Sequence, residues 1–116
     1  MIEIDIPGFG KMSLRYLVCD YNGTLACDGL ILPEIIPLIG RLSRDMKIYI
    51  VTADTFGITR KCLSDLPVNL TILSQNGQDT GKLAFIKKLG AEMTVCIGNG
   101  RNDSLMLKEA ALGICL

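Results

Sequence analysis

The 116-residue sequence predicts an α/β fold: a doubly wound, mainly parallel sheet of the Rossmann-like kind, with an extra strand or hairpin at its N-terminus. Three observations lead there. Strand-like apolar runs alternate with helical stripes at the spacing of crossover connections. Tyr16-Leu17-Val18-Cys19 is apolar without alternation, as befits a strand buried on both faces. Polar clusters rich in Gly, Asp and Asn follow three of the apolar runs, where a parallel sheet gathers its ligand site.

The elements follow in order. Ile2, Ile4 and Ile6 alternate with Glu3 and Asp5 as a period-2 strand, ended by Pro7-Gly8. A second strand is expected over residues 12–19. Ile35, Leu38, Ile39 and Leu42 form a helical stripe within 33–45, with Pro33 and Pro37 tolerable near its start. A strand over 47–52, a short helix over about 57–66 and a strand over about 69–73 come next. After a loop at 74–79, a helix over 80–89 closes on Gly90, at the position of a left-handed cap. A strand over 94–97, a helix over 102–111 and a strand from Leu112 complete the chain. That strand runs to the last residue, which fits either a very short protein or the loss of a C-terminal piece.

Length and composition predict one domain over 1–116 and exclude several functions. Twelve Lys+Arg balance twelve Asp+Glu, so no charge excess points to nucleic acid or an anionic membrane. Trp is missing and Tyr and Phe number three each, too few for a base-stacking platform. No run approaches the length of a membrane span, and the acidic N-terminus is unlike a signal peptide. Five cysteines without a C-x-x-C pair, and no histidine, read as free thiols in a reducing compartment, hence a cytoplasmic protein.

The candidate chemistry lies in Asp20-Tyr21-Asn22-Gly23-Thr24-Leu25, Thr52-Ala53-Asp54-Thr55 and Gly98-Asn99-Gly100-Arg101-Asn102-Asp103. A carboxylate directly after a buried strand is a candidate nucleophile or metal ligand, and Gly23 lets the chain turn around it. Thr52 offers a hydroxyl, and nearby amides can hold phosphate oxygens. The third cluster suits a hard cation such as magnesium. Taken singly these are ordinary features. Asp20 and Asn102-Asp103 could be caps, Thr52 a strand end and Lys82 a solvated charge. Gly98-x-Gly100 imitates a dinucleotide fingerprint but lacks the third glycine. Their order and placement lift them above those readings.

Together, Asp20-Tyr-Asn-Gly-Thr-Leu25, Thr52, Lys82 and Gly98-Asn-Gly-Arg-Asn-Asp103 resemble the four ordered motifs of the haloacid dehalogenase-like hydrolases. The nearest pattern is that of P-type ATPase phosphorylation domains, whose motifs read Asp-Lys-Thr-Gly-Thr, Thr-Gly-Asp and Gly-Asp-Gly-x-Asn-Asp. The similarity runs from the strand before Asp20 to Leu116. It implies a soluble, stand-alone relative in which Asp20 is the nucleophile and forms an aspartyl phosphate. Magnesium would be held by Asp20, the carbonyl of Asn22, Asn99 and Asp103. Gly23, Thr24, Thr52, Ala53 and Lys82 would hold the phosphoryl group.

Two departures shape the expectation. Family phosphatases carry a general acid/base Asp where this chain has Asn22, and such a group is typically worth about 10²–10⁴-fold in rate. Asn99 stands where the family places a metal-binding Asp, which removes a negative charge from the metal site. Only 31 residues separate Asp20 from Thr52, too few for a cap or for the nucleotide-binding insert of an ion pump. The open site would suit a large substrate or a homo-oligomer whose neighbouring subunit covers it.

The reading is therefore a slow, magnesium-dependent phosphatase-like hydrolase acting on a phosphorylated substrate. The alternative is a catalytically weakened binding or regulatory module on the same fold. A receiver-type phospho-acceptor fits less well, because Asp20 follows the first parallel strand and no acidic pair accompanies it.

Overall fold

The computed structural model describes residues 1–53 and 57–116. Strands β1 (Ile2–Ile6) and β2 (Gly10–Leu14) form an antiparallel hairpin, and β3 (Tyr16–Cys19) opens the main sheet. A second small hairpin, β4 (Ala26–Cys27) and β5 (Leu30–Ile31), precedes helix α1 (Ile35–Leu42). Then come β6 (Lys47–Thr52), α2 (Ile58–Leu63), β7 (Asn69–Ile72), α3 (Gln78–Leu89), β8 (Thr94–Gly98), α4 (Ser104–Glu109) and β9 (Leu112–Cys115). Short 3₁₀ turns at Ala91–Met93 and Arg101–Asp103 lead into β8 and α4.

Five strands form one parallel sheet in the order β7-β6-β3-β8-β9. The chain starts in the middle, builds outward through β6 to β7, then crosses back to lay β8 on the other side of β3. The strand order reverses between β3 and β8, and a crevice forms there at the carboxyl ends. Asp20 leaves β3 and Asn99 leaves β8, so both fall at this point.

The alternating pleat divides the core into two layers. Leu17, Cys19, Ile48, Ile50 and Val95 pack with Met12 and Leu14 of the first hairpin, Ile39 of α1 and Leu63 of α2. Val18, Val51 and Cys96 face the other way, onto Ile86 of α3 and Met106 of α4. This is the doubly wound arrangement expected from the sequence. No helix among the described residues is long and apolar enough to cross a membrane.

The expected strand over 12–19 is two strands. Arg15 donates its N–H to the Met93 carbonyl, and its own carbonyl accepts from Lys47, so the chain changes partners there. Apolar pattern reports burial, and both halves are buried, so it cannot show where pairing switches from β1 to β6 and β8. The β4–β5 hairpin was not anticipated from periodicity, because two-residue strands carry none. Its signal is Asp28-Gly29, both at positive φ (52° and 84°), the dipeptide preferred in tight hairpin turns. Gly90 does take positive φ (124°), but with ψ 82° it lies outside the left-handed helical region anticipated for it.

Two glycines make the packing testable. A Cβ on Gly113 would collide with the Leu107 carbonyl, where β9 lies against α4, whereas one on Gly81 within α3 meets only Leu73 at 3.5 Å. Gly113→Ala should lower stability by about 1–3 kcal/mol through overpacking. Gly81→Ala should raise it by about 0.5–1 kcal/mol, because alanine costs less entropy in a helix. Urea unfolding midpoints of the two variants check both signs.

Candidate active site

A polar pocket of about 550 Å³ opens at the carboxyl edge of the sheet, with Asp20, Thr52, Lys82, Asn99 and Asp103 among its lining. Asp20 is the first residue beyond β3, and its N–H donates to the Ile97 carbonyl, which fixes where its side chain leaves the sheet. Its Oδ1 accepts from Lys82 Nζ at 3.0 Å, and its Oδ2 from the Thr24 hydroxyl at 3.4 Å. Lys82 is only 2% exposed, so the solvated charge that its place in sequence allowed is a buried one.

Burial of the ammonium favours the neutral amine, but hydrogen bonds to Asp103 and Asp20 outweigh it and hold the Lys82 pKa above its ordinary value. Asp103 Oδ1 accepts from Nζ at 2.6 Å. Its Oδ2 accepts the backbone N–H groups of Asn99 and Gly100 at 3.0 and 3.1 Å. A Cβ on Gly98 would collide with that carboxyl group, so the glycine lets Asp103 lie on the turn that follows β8. Both Asp103 oxygens are thereby engaged.

The site residues expected from sequence separate into two groups. Asp20, Asn22, Thr52, Ala53, Lys82, Asn99 and Asp103 all line the one pocket. Gly23 and Thr24 do not. Their N–H groups close the loop internally, Gly23 onto Ala26 and Thr24 onto Tyr21, so they shape the turn after Asp20. Gly23 has a further reason to be glycine: its φ is +80°, and a Cβ there would strike the Asn99 carboxamide. Asp54 lies outside the described residues.

Sequence reasoning missed the structural use of Asn22. Its Oδ1 accepts the Gly29 N–H at 3.0 Å and so tethers the loop after Asp20 to the β4–β5 turn. The Gly29 carbonyl in turn accepts the buried Tyr21 hydroxyl at 2.9 Å. Gln75, Asn76, Gln78 and Asn102 also line the mouth. Gln75, Asn76 and Gln78 carried no motif and Asn102 was part of one without a role of its own, and only the fold brings the two loops together.

Thiol chemistry is poorly placed here. Burial raises the Cys19 and Cys96 thiols to about 12, aided at Cys19 by the charges of Cys96 and Asp20 and at Cys96 by Asp103. All five cysteines are unpaired.

Comparison of the whole chain with solved structures agrees with this fold. A cobalt-bound deoxy-D-mannose-octulosonate 8-phosphate phosphatase from Haemophilus influenzae superposes with a TM-score of 0.68, at 18% identity over 84% of this chain and 66% of that one. This is the haloacid dehalogenase-like fold. A structure described as a subfamily III A haloacid dehalogenase hydrolase from Legionella pneumophila gives 0.71 at 16% identity, covering 88% of this chain and 64% of the other. A 3-deoxy-D-manno-octulosonate 8-phosphate phosphatase from Moraxella catarrhalis, in complex with magnesium, phosphate and KDO, gives 0.70 at 17% identity, with coverages of 88% and 67%. The chain thus spans about two thirds of these haloacid dehalogenase-like proteins. No family model and no curated protein matches its sequence.

The electrostatics yield two expectations. Lys82→Met leaves Asp103 buried without its counter-charge and should cost about 3–5 kcal/mol in urea unfolding. For pH, every resolved shift here is upward, so the stabilisation is complete below the unfolded-state values and lost as pH rises past them. The unfolded thiols ionise first, near 9.0, and lysine follows near 10.5. These groups should leave the urea midpoint unchanged from neutral pH to about 8 and lower it progressively above about 9.

Proposed function

We propose that the chain is a slow, magnesium-dependent phosphatase-like hydrolase that works through an aspartyl phosphate on Asp20. One observation carries the reading: Asp20 stands at the strand-order reversal with one carboxylate oxygen on Lys82 and the pocket beside it. The fold similarity to phosphatases and the motif resemblance to P-type ATPase phosphorylation domains support it.

The donor set fits a hard divalent cation, since Asp20, the Asn22 carbonyl and the Asn99 side chain offer oxygen ligands. The need for one follows from charge. Asp20, Asp103 and Lys82 sum to one negative charge, and no other cation is among the described lining residues. A phosphate dianion would enter against that field. Magnesium, when bound, neutralises the phosphoryl oxygens. Asp103, already engaged with Lys82 and two amides, acts by holding the lysine.

In the reaction a carboxylate oxygen of Asp20 attacks phosphorus as the bond to the alcohol oxygen breaks. Lys82 and the Thr52 hydroxyl neutralise and orient the phosphoryl group. The leaving alcohol takes its proton from water, because Asn22 has none to give. Water then attacks the aspartyl phosphate, releasing phosphate and restoring the carboxylate. The missing acid/base slows both halves, and the phosphorylated form persists.

A second reading, a binding or regulatory module, is favoured by Asn22 itself: its carboxamide is committed to the Gly29 tether rather than to proton transfer. Phosphate release from phenyl phosphate, with and without magnesium, tests the proposal. Asp20→Ala should abolish it, and beryllium fluoride, which mimics the acyl phosphate, should stabilise the parent protein but not that variant. Asn22→Asp keeps the acceptor for Gly29 and supplies an exchangeable proton, so turnover should rise toward the about 10²–10⁴-fold such a group is worth. Unchanged turnover in Asn22→Asp sinks the account of slowness. Beryllium fluoride binding without any phosphate release favours the module.

A further inference from the structure

We propose that the alcohol portion of the substrate is a neutral polyhydroxyl chain or ring, and not a sugar acid, a second phosphate or a nucleoside. This rests on the phosphatase reading of the same pocket and adds to it the chemistry of the leaving group. The observation is the make-up of the wall around Asp20. Half of the described lining residues are carboxamides: Asn22, Gln75, Asn76, Gln78, Asn99 and Asn102. They come from the loops after β3, β7 and β8 and from the start of α3, so several elements contribute them.

Each carboxamide brings two donors and an acceptor oxygen with two lone pairs. A hydroxyl donates one hydrogen bond and accepts up to two. Asn22 is tied to Gly29 and Asn99 is assigned to the cation, which leaves Gln75, Asn76, Gln78 and Asn102 to match a run of hydroxyls in either direction, with no net charge to compensate. Two of them already pair in this complementary way, Asn102 Nδ2 donating to Gln78 Oε1 at 3.3 Å. Hydroxyls can replace or extend such a contact at little desolvation cost, because both partners stay hydrogen-bonded.

The same wall disfavours the charged alternatives. Lys82 is the sole cation among the described lining residues, and both of its carboxylate partners lie inside the site. A carboxylate or second phosphate on the substrate would face a net negative site without a counter-ion. Arg101, between the lining residues Gly100 and Asn102, is exposed and does not itself line the pocket. No aromatic ring is among the described lining residues, so a base would find no stacking partner there.

Two esters of the same length separate these cases. Sorbitol 6-phosphate ends in a neutral hydroxymethyl group, and 6-phosphogluconate carries a carboxylate at the same place. Binding of each is measured by calorimetry, and phosphate release by each is followed with phenyl phosphate as the reference ester. The proposal expects sorbitol 6-phosphate to bind at least ten-fold tighter than 6-phosphogluconate, and to be hydrolysed with the higher kcat/KM. Gln75→Ala should reduce the kcat/KM ratio of sorbitol 6-phosphate to phenyl phosphate, and Gln75→Arg should shift binding toward 6-phosphogluconate.

Turnover of phenyl phosphate with equal or reversed preference between the two esters would overturn the substrate class and leave the phosphatase standing. The expected binding preference without phosphate release would uphold the class and remove the phosphatase. A preference for 6-phosphogluconate that disappears in Arg101→Ala would overturn the class by assigning Arg101 as a carboxylate anchor. Absence of both binding and turnover overturns it as well.

Discussion

A lysine ammonium that is almost wholly withdrawn from water needs compensation, and in this chain two carboxylates supply it. Lys82 reaches from α3 to Asp20 beyond β3 and to Asp103 ahead of α4. The desolvation cost of the three charges is large, and the short, hydrogen-bonded geometry offsets it only while all three are in place. The rest of the site is arranged around that condition. Gly98 makes room for the Asp103 carboxyl, and the Asn99 and Gly100 amides take its second oxygen. The turn after β8 is thus fixed by the same carboxylate that holds the lysine.

Topology brings these groups together. In a sheet ordered β7-β6-β3-β8-β9, the loops after β3 and β8 are neighbours although most of the chain lies between them. The β7–α3 connection brings Gln75 and Asn76 to the same edge, and the first turns of α3 bring Gln78 and Lys82. Burial on both faces of β3 keeps the platform rigid, since Val18 packs toward α3 and α4 while Leu17 and Cys19 pack toward α1 and the first hairpin. The β3 platform and the Asp20 N–H bond to the Ile97 carbonyl set where the loop begins, and Lys82 and the Thr24 hydroxyl then hold the carboxylate.

The sheet and the spine of the site were legible in the sequence because their signals are strong and local. A β3 run that is apolar on both faces, glycine-rich turns and polar residues at strand ends marked the segments of Asp20, Thr52 and Asn99–Asp103, and the motif resemblance added Lys82 to make them one set. What stayed hidden depends on partners distant in sequence. The break at Arg15 is written in the carbonyl of Met93 and the N–H of Lys47, not in the residues around it. Gly23 and Thr24 belong to the nucleophile motif, yet their amides turn inward onto Ala26 and Tyr21. Asn22 looked like a lost acid, and only the fold shows that its oxygen ties down Gly29. Residue type at a motif position indicates chemistry, whereas the direction of a side chain is decided by what the chain folds against it.

The wide spacing of the three charged partners along the chain has a consequence for how the molecule comes into being. Asp20 and Lys82 are 62 positions apart, and Lys82 and Asp103 a further 21. Closing loops of that length costs entropy before any of the charges is compensated. As the chain emerges during synthesis, Asp20 is exposed long before its counter-ion has been made, and the pocket takes form only once the chain has been made past Asp103. Nascent fragments therefore carry the Asp20 carboxylate without its lysine, and the charge cluster closes only when α3 and the turn after β8 have joined the sheet.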